Sequence, residues 1–373
     1  MPATVGRRTF AFAPGHVTGL FVPALSARDP RGRGSLGAGI VLEVGATADA
    51  LVEPSRPESI AVVDAAGRPL PLTLEAARHL VPPGSGGVRI RVHHALPVGQ
   101  GFGMSAAGSL ASALALAALF DLPHRRAVEA AHLAELFGRG GLGGVAAILG
   151  GGVEVRQRPG LPPRGRIVHL PLEPPVVVGV MGGPLPSPRL LADGKFLGRV
   201  QEVGGPIIRR LGNRPTPAQV LRGSEQFTDG LGRAPARLRA ILDGLRRRGS
   251  WAAQGMLGRS FFAVPRRPGA LEAALTFLRR EGIPARAMGA APEGARRLRG
   301  VPSPTPKGSR PLPGGRLGRA RGGRPRLPGV PRRGSGAEPR RTDRSPPGPA
   351  IGDARRAGAD ASILTARPSR RRP

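Results

Sequence analysis

Among 373 residues the chain has no cysteine, no tyrosine, one tryptophan (Trp251) and only two lysines, Lys195 and Lys307. Without cysteine, disulfides and thiolate metal sites are excluded. Aromatic residues make up 3% of the chain, and no aromatic-interleaved basic stretch or zinc-finger spacing accompanies its positive charge. A dedicated nucleic-acid module therefore has little to rest on. Long apolar runs are missing too. The longest apolar segment lies within residues 105–120, shorter than the ~20 residues needed to span a bilayer. The opening segment, MPATVGRRTFAFAPGH, lacks the apolar core and small-residue cleavage site of a signal peptide. A soluble cytoplasmic protein without membrane partners is the expectation.

What is abundant is arginine, glycine and proline. The chain carries 57 Lys and Arg against 24 Asp and Glu, a net charge of +33. That charge is spread unevenly. Residues 301–373 hold 18 Arg/Lys and 4 Asp/Glu, with 14 Pro, 12 Gly and no aromatic residue. Proline blocks helix and ladder hydrogen bonds, glycine raises the cost of ordering, and repelling arginines oppose collapse. Residues 299–373 are expected to form a disordered basic tail, the one segment suited to nucleic acid. The same Arg/Pro/Gly/Ala mixture is also what GC-rich codons yield when read out of frame.

The rest of the chain alternates strand-like and helical stretches without a regular βαβ period, which points to an α+β fold. Strand-like runs cover Gly39–Val44 and Val88–His93, and helical ones Ser105–Phe120 and Arg125–Phe137. A second region opens with the run Pro175–Met181. Helical candidates follow at Pro217–Arg222, Ala236–Arg248 and Gly269–Arg280. The expected division is residues 1–165, 166–298 and the tail.

Residues 96–111 read LPVGQGFGMSAAGSLA, between the strand-like VRIRVHH and an apolar helix. Gly99, Gly101 and Gly103 allow positive φ and close backbone approach to a ligand. A helix starting near Ser105 would aim free N–H groups and its positive dipole end at the loop. Strand, glycine loop and helix N-terminus together make a phosphate cradle. A Walker A loop is excluded because no lysine is present, and a dinucleotide fingerprint lacks its downstream acidic residue. A plain glycine turn before a buried helix is the non-functional reading.

Further on, His132 and Glu135 share a helical face three residues apart. Their bland reading is a solvated helix end. No second pair exists to complete a transition-metal site. Beside a phosphate loop, however, a carboxylate suits Mg²⁺, which takes one or two protein oxygens and fills its remaining positions with phosphate and water.

The segment from Pro97 to Ala107 resembles the P-x-x-x-G-L-G-S-S-A-A motif of the GHMP kinases, with Phe102 for Leu and Met104 for the first Ser. Its form GQGFGMSAAG is more similar still to archaeal pantoate kinases. That resemblance extends to Ala131-His132-Leu133-Ala134-Glu135, to Gly140–Ala147, and to Gly151, Gly152 and Arg156. Weaker likenesses are PGHVTGLF at residues 14–21, GSLGAG at 34–39, QGMLGRSFFA at 254–263 and Gly294-Ala295-Arg296. The likeness covers residues 8–297.

The resemblance implies a two-domain GHMP kinase fold, ATP and Mg²⁺ as cofactors, and pantoate as substrate. ATP phosphates would lie on residues 97–108, contacted by Pro97, Gly99, Gly101, Gly103, Ser105, Ala106 and Ala107. Mg²⁺ would sit between Ser105 and Glu135. The substrate would meet His16, Ser35, His132 and Arg156, where an arginine fork suits a carboxylate. One departure stands out: Gly144 occupies the position of the family's catalytic aspartate, so that base is missing. The alternatives are a GHMP kinase for another small alcohol, such as mevalonate or homoserine, and an impaired relative that binds partners through its tail. A homodimer is compatible with all three.

Overall fold

The computed structural model describes residues 7–53, 56–184, 187–256 and 258–300. The expected tail lies outside them from residue 301 onward. Two long strands begin the fold: β1 (Arg8–Ala24) and β2 (Gly34–Glu53), antiparallel along almost their whole length. Asp29 caps the 3₁₀ turn Pro30–Gly32 between them by accepting from the Arg31 N–H. Then come β3 (Ser59–Asp64), α1 (Pro71–Arg78), β4 (Gly87–His94), α2 (Met104–Leu119), α3 (His124–Phe137) and α4 (Gly144–Ala147). Strands β5 (Val153–Arg158) and β6 (Arg166–Leu170) follow.

The remaining elements are β7 (Val176–Val180), α5 (Ser187–Ala192), α6 (Gly194–Leu211), α7 (Pro217–Leu231), α8 (Ala236–Arg247), β8 (Ser250–Gly255), β9 (Ser260–Pro265), α9 (Ala270–Arg280), β10 (Ala285–Met288) and β11 (Arg296–Leu298). A seven-stranded sheet runs β11-β1-β2-β4-β3, with β5 joined to β2 and β6 to β5. A four-stranded sheet runs β10-β7-β9-β8. Only the β3–β4 pair is parallel among the described strands. The α+β expectation holds, and the described residues fall within one compact unit.

Helix α2 is buried on nearly every side, which its composition explains. A helix apolar all round belongs in a core. Its alanines at 106, 107, 111, 113, 115 and 117 let α1, α3 and the sheet approach closely. The outer edge of β1 is consumed in pieces. Phe10–Phe12 pair with β11, the His16 N–H donates to Phe102 O at 3.0 Å, and Thr18 O accepts from the Met256 N–H at 2.9 Å. The glycine loop is thus docked directly onto β1.

Sequence reading places α2, α3, α7, α8 and α9 within a few residues at the start of each, but cuts α7 short. It misses α6 altogether, whose Pro206 and glycines argue against a helix. Phe196, Val200, Gly204, Ile207 and Leu211 nevertheless make one buried stripe there. Tertiary packing of that stripe overrides the weak local propensity. Alongside it, Phe227 of α7 meets Phe21 of β1 edge to face, with ring centroids 6.1 Å apart. None of the described helices is long and apolar enough to cross a membrane. Because Phe227 is fully buried, Phe227→Ala is expected to cost about 3–5 kcal/mol of stability, read from denaturant unfolding.

Candidate active site

The loop between β4 and α2 has the geometry expected of a cradle. Gly99, Gly101 and Gly103 have φ of +77°, +81° and +63°, a region that side-chain-bearing residues rarely occupy. The space is restricted as well. A Cβ at Gly101 would lie 3.0 Å from Met256 O and 3.1 Å from Gly255 O, and one at Gly103 would lie 3.1 Å from His16 O. Gly103 is the N-cap of α2, and no side chain caps the helix's first turn. The helix's positive end therefore faces the cleft.

The β8–β9 turn clasps the loop from the other side: a Cβ on Gly258 would strike Gln100 O at 2.1 Å. The Gln100 amide donates to Gly182 O at 2.8 Å. From sequence, residues 254–263 read only as core strand or helix end. The structure shows that part of this stretch buttresses the loop.

Ser105, on the first turn of α2, donates a short hydrogen bond to Glu135 Oε1 of α3. Burial pushes the Glu135 carboxyl up to about 7, although hydrogen bonds from Ser105 and Ser109 oppose the rise. No group of three or more His, Cys, Asp or Glu side chains able to hold a metal occurs among the described residues. One buried carboxylate and one hydroxyl form a hard-oxygen pair that fits Mg²⁺, provided phosphate and water complete its shell.

The opposite end of the cleft is built on β2. Ser35, Gly37 and Gly39 alternate along the strand and so share one face. Cβ atoms on the two glycines would lie 2.4 Å from Arg156 Nη2 and 2.4 Å from His16 Nε2, respectively. The pattern GSLGAG is therefore a strand that leaves space for two large polar side chains from its neighbours.

Those side chains meet at Glu154, which is fully buried on β5. Glu154 Oε1 accepts from His16 Nε2 at 2.9 Å and from Arg156 Nη1 in a closer ion pair. Burial alone would raise the Glu154 carboxyl, but Arg156 and His16 hold it below its ordinary value. Burial lowers the His16 imidazole and so favours its neutral form, against the pull of Glu154. Arg156 Nε, also buried, has no partner. Beside it is the Ser35 hydroxyl: a Cβ on Gly143 would lie 2.5 Å from Ser35 Oγ and 2.8 Å from Arg156 Nε. Two donors converge there on one small space.

His16, Ser35, Gly99, Gly101, Gly103, Ser105, Ala106, Glu135, Gly144 and Arg156 all line one cleft. Pro97 and Ala107 stand outside its lining, and Ala107 is part of the core. His132 is also absent from the lining. Spacing of three puts it near Glu135, but its side chain is buried outside the cleft lining, near the backbone of Pro30 and Arg33, and its Nε2 has no partner. Gly144 opens α4 at the cleft wall, and a Cβ there would lie 2.8 Å from the Ala106 methyl. Glu154 and Thr18 were not anticipated. A lone acid in the apolar strand GGVEVR, two residues before Arg156 and on the same face, was the available signal.

The chain matches the model of the GHMP kinases N terminal domain over residues 71–152. It is 35% identical over 265 residues to the pantoate kinase of Thermococcus kodakarensis, covering 69% of this chain and 87% of that protein. With the pantoate kinase of Methanospirillum hungatei the identity is 28%, over 70% of this chain and 88% of the relative. A solved structure described as a phosphotransferase related to the CoA biosynthesis pathway superposes with a TM-score of 0.71 at 31% identity. That match covers 79% of this chain and all of the other. The chain belongs to the GHMP kinase family.

Glu135 has a consequence for stability that needs no ligand. Its folded pKa of about 7 lies above the unfolded value near 4.3. The folded state therefore binds the proton more tightly, and stability present below about pH 4 is lost as the pH rises to about 7. With Glu135→Gln that loss should vanish, leaving the unliganded variant roughly 3 kcal/mol more stable at pH 8. Urea unfolding at pH 5 and pH 8 measures the difference.

Proposed function

We propose that the chain is a pantoate kinase, transferring the γ-phosphoryl group of ATP to the hydroxyl of pantoate to give 4-phosphopantoate. The observation that carries this is the arrangement of the cleft. A glycine cradle with a helix N-terminus forms one end, and a buried arginine with an unpartnered Nε beside a serine hydroxyl forms the other. The first end suits a polyphosphate and the second a carboxylate. Relatives at 35% and 28% identity named pantoate kinases support the same substrate.

When bound, the nucleotide supplies the phosphoryl group and Mg²⁺ offsets charge on its phosphates. The protein's part is positioning. Gly99, Gly101 and Gly103 would hold the phosphates through backbone N–H groups, and Ser105 and Glu135 would hold the metal. Glu135, protonated while buried without a cation beside it, would serve as a ligand in its ionised form. Arg156 and Ser35 grip the substrate acid and so fix the distance of its hydroxyl. Phosphoryl transfer through a loose transition state depends chiefly on such positioning and charge stabilisation. Absence of an aspartate at position 144 is therefore compatible with turnover.

Coupled measurement of ADP release with pantoate, mevalonate and homoserine at saturating Mg·ATP should show turnover with pantoate alone. Arg156→Lys keeps the charge opposite Glu154 but loses the fork. It should raise the KM for pantoate about 10–100-fold while leaving ATP affinity unchanged. Gly101→Val should do the reverse and abolish ATP binding in a folded protein. Turnover with mevalonate or homoserine in preference to pantoate would overturn the assignment.

A further inference from the structure

Of the described residues that line the cleft, only Glu135 and His16 carry a side chain able to act as a base. Glu135 is committed to Ser105 and, on the reading above, to the metal. His16 is left. Its surroundings resemble a carboxylate–imidazole–hydroxyl relay more than a structural histidine. Nε2 meets Glu154 Oε1 at 2.9 Å, which fixes that nitrogen as the N–H donor and leaves Nδ1 with a free lone pair. Nδ1 in turn faces Thr18 Oγ1 at 3.3 Å. Thr18 lies two residues along β1, on the same face as His16, and also lines the cleft. A carboxylate at one ring nitrogen and a hydroxyl at the other is the arrangement by which an imidazole takes a proton from an alcohol.

We infer that His16, oriented by Glu154 and reached through Thr18, takes the proton of the substrate hydroxyl. In the step, that hydroxyl's oxygen forms a bond to the γ-phosphorus. The bond from phosphorus to the β–γ bridging oxygen breaks, and its electron pair leaves on ADP. The hydroxyl proton passes to Thr18 Oγ1 as Thr18 gives its own to His16 Nδ1. Glu154 is a positioning residue here, because it touches only His16 and Arg156.

Charge explains why the substrate itself would activate this base. Without ligand, Glu154 and Arg156 cancel and burial favours the neutral imidazole. A substrate carboxylate against Arg156 adds one uncompensated negative charge to the same buried cluster. Protonation of His16 then restores neutrality, and a nearby opposite charge raises an imidazole's pKa. The groups that act on the ring are Glu154 and Arg156 from β5, His169 from β6 and the Thr18 hydroxyl from its own strand. A carboxylate-bearing alcohol would thus raise the basicity of the group that deprotonates it, whereas a neutral alcohol would not.

This inference rests on the reading that an acid binds at Arg156, and two measurements separate the two. Calorimetry with pantoate tests binding. NMR titration of the His16 imidazole in the full chain, with and without pantoate, tests the base. Pantoate should raise the imidazole pKa by at least one unit, while its amide analogue should leave it in place. His16→Gln keeps a donor toward Glu154 but cannot take a proton, so kcat should fall about 10²–10⁴-fold with pantoate affinity within a few-fold of the parent. Thr18→Val should behave likewise, and Thr18→Ser should retain turnover. Pantoate that binds without moving the imidazole pKa, or His16→Gln with unchanged kcat, would overturn the relay alone. No pantoate binding to the parent would overturn the substrate reading beneath it. Should the His16 variant fail to fold, the titration in the parent still decides.

Discussion

Everything at the candidate site hangs on the antiparallel ladder between β1 and β2. Those strands are 17 and 20 residues long, far beyond the five or six typical of globular proteins, and their register fixes where polar side chains can face. Pairing of His16 with Val41 and of Thr18 with Gly39 sets the imidazole against β2 where a glycine leaves space. Pairing of β5 with the same strand, Gly37 opposite Arg156 and Gly39 opposite Glu154, brings the ion pair alongside. A slip of one residue would turn each side chain to the opposite face of the sheet.

A second constraint is electrostatic. Glu154, Arg156 and His16 are all removed from water, and isolated charges in such a place are costly. Their mutual pairing makes the cluster tolerable, and the Nε of Arg156 and the Oε2 of Glu154 are what remains without a partner. At the other end of the cleft the balance is the reverse. Glu135 has no cation beside it, so burial favours its neutral form. The two ends are therefore complementary in what they lack: one needs an anion, the other a cation.

Much of this was legible in the chain itself. The glycine loop stood out through three alternating glycines between a strand and a buried helix. Ser105 and Glu135 were recoverable because the two helices that carry them were placed to within a residue at their starts and because both fall in segments that resemble a known family. The resemblance to a known family extended that reading to Arg156 and to the vacancy at Gly144.

Other features depended on contacts that no local pattern records. The purpose of Gly37 and Gly39 escaped the sequence because the side chains that fill their space come from residues 156 and 16. Glu154 hid in a strand that reads as simple core. His132 was misplaced because a spacing of three gives only rough angular proximity, and a neighbouring turn captured the ring. Helix α6 was obscured by Pro206, whose cost is outweighed by a buried face that appears only once the fold is assembled.

The outer edge of β1 matters in another sense, that of time. Its backbone groups are satisfied by Phe102, Met256 and residues 296–298, none of which is near it in sequence. An unpaired strand edge is a template for pairing with another chain. During synthesis β1 and β2 can form their hairpin early, yet that edge stays open until the glycine loop emerges, and part of it until almost 300 residues have been made. At ribosomal speeds of ~5–20 residues per second, the apolar strand bearing His16 spends many seconds uncovered. A nascent chain of this protein thus passes through a prolonged stage in which its own first strand is an exposed edge, and the wall of the cleft is completed last.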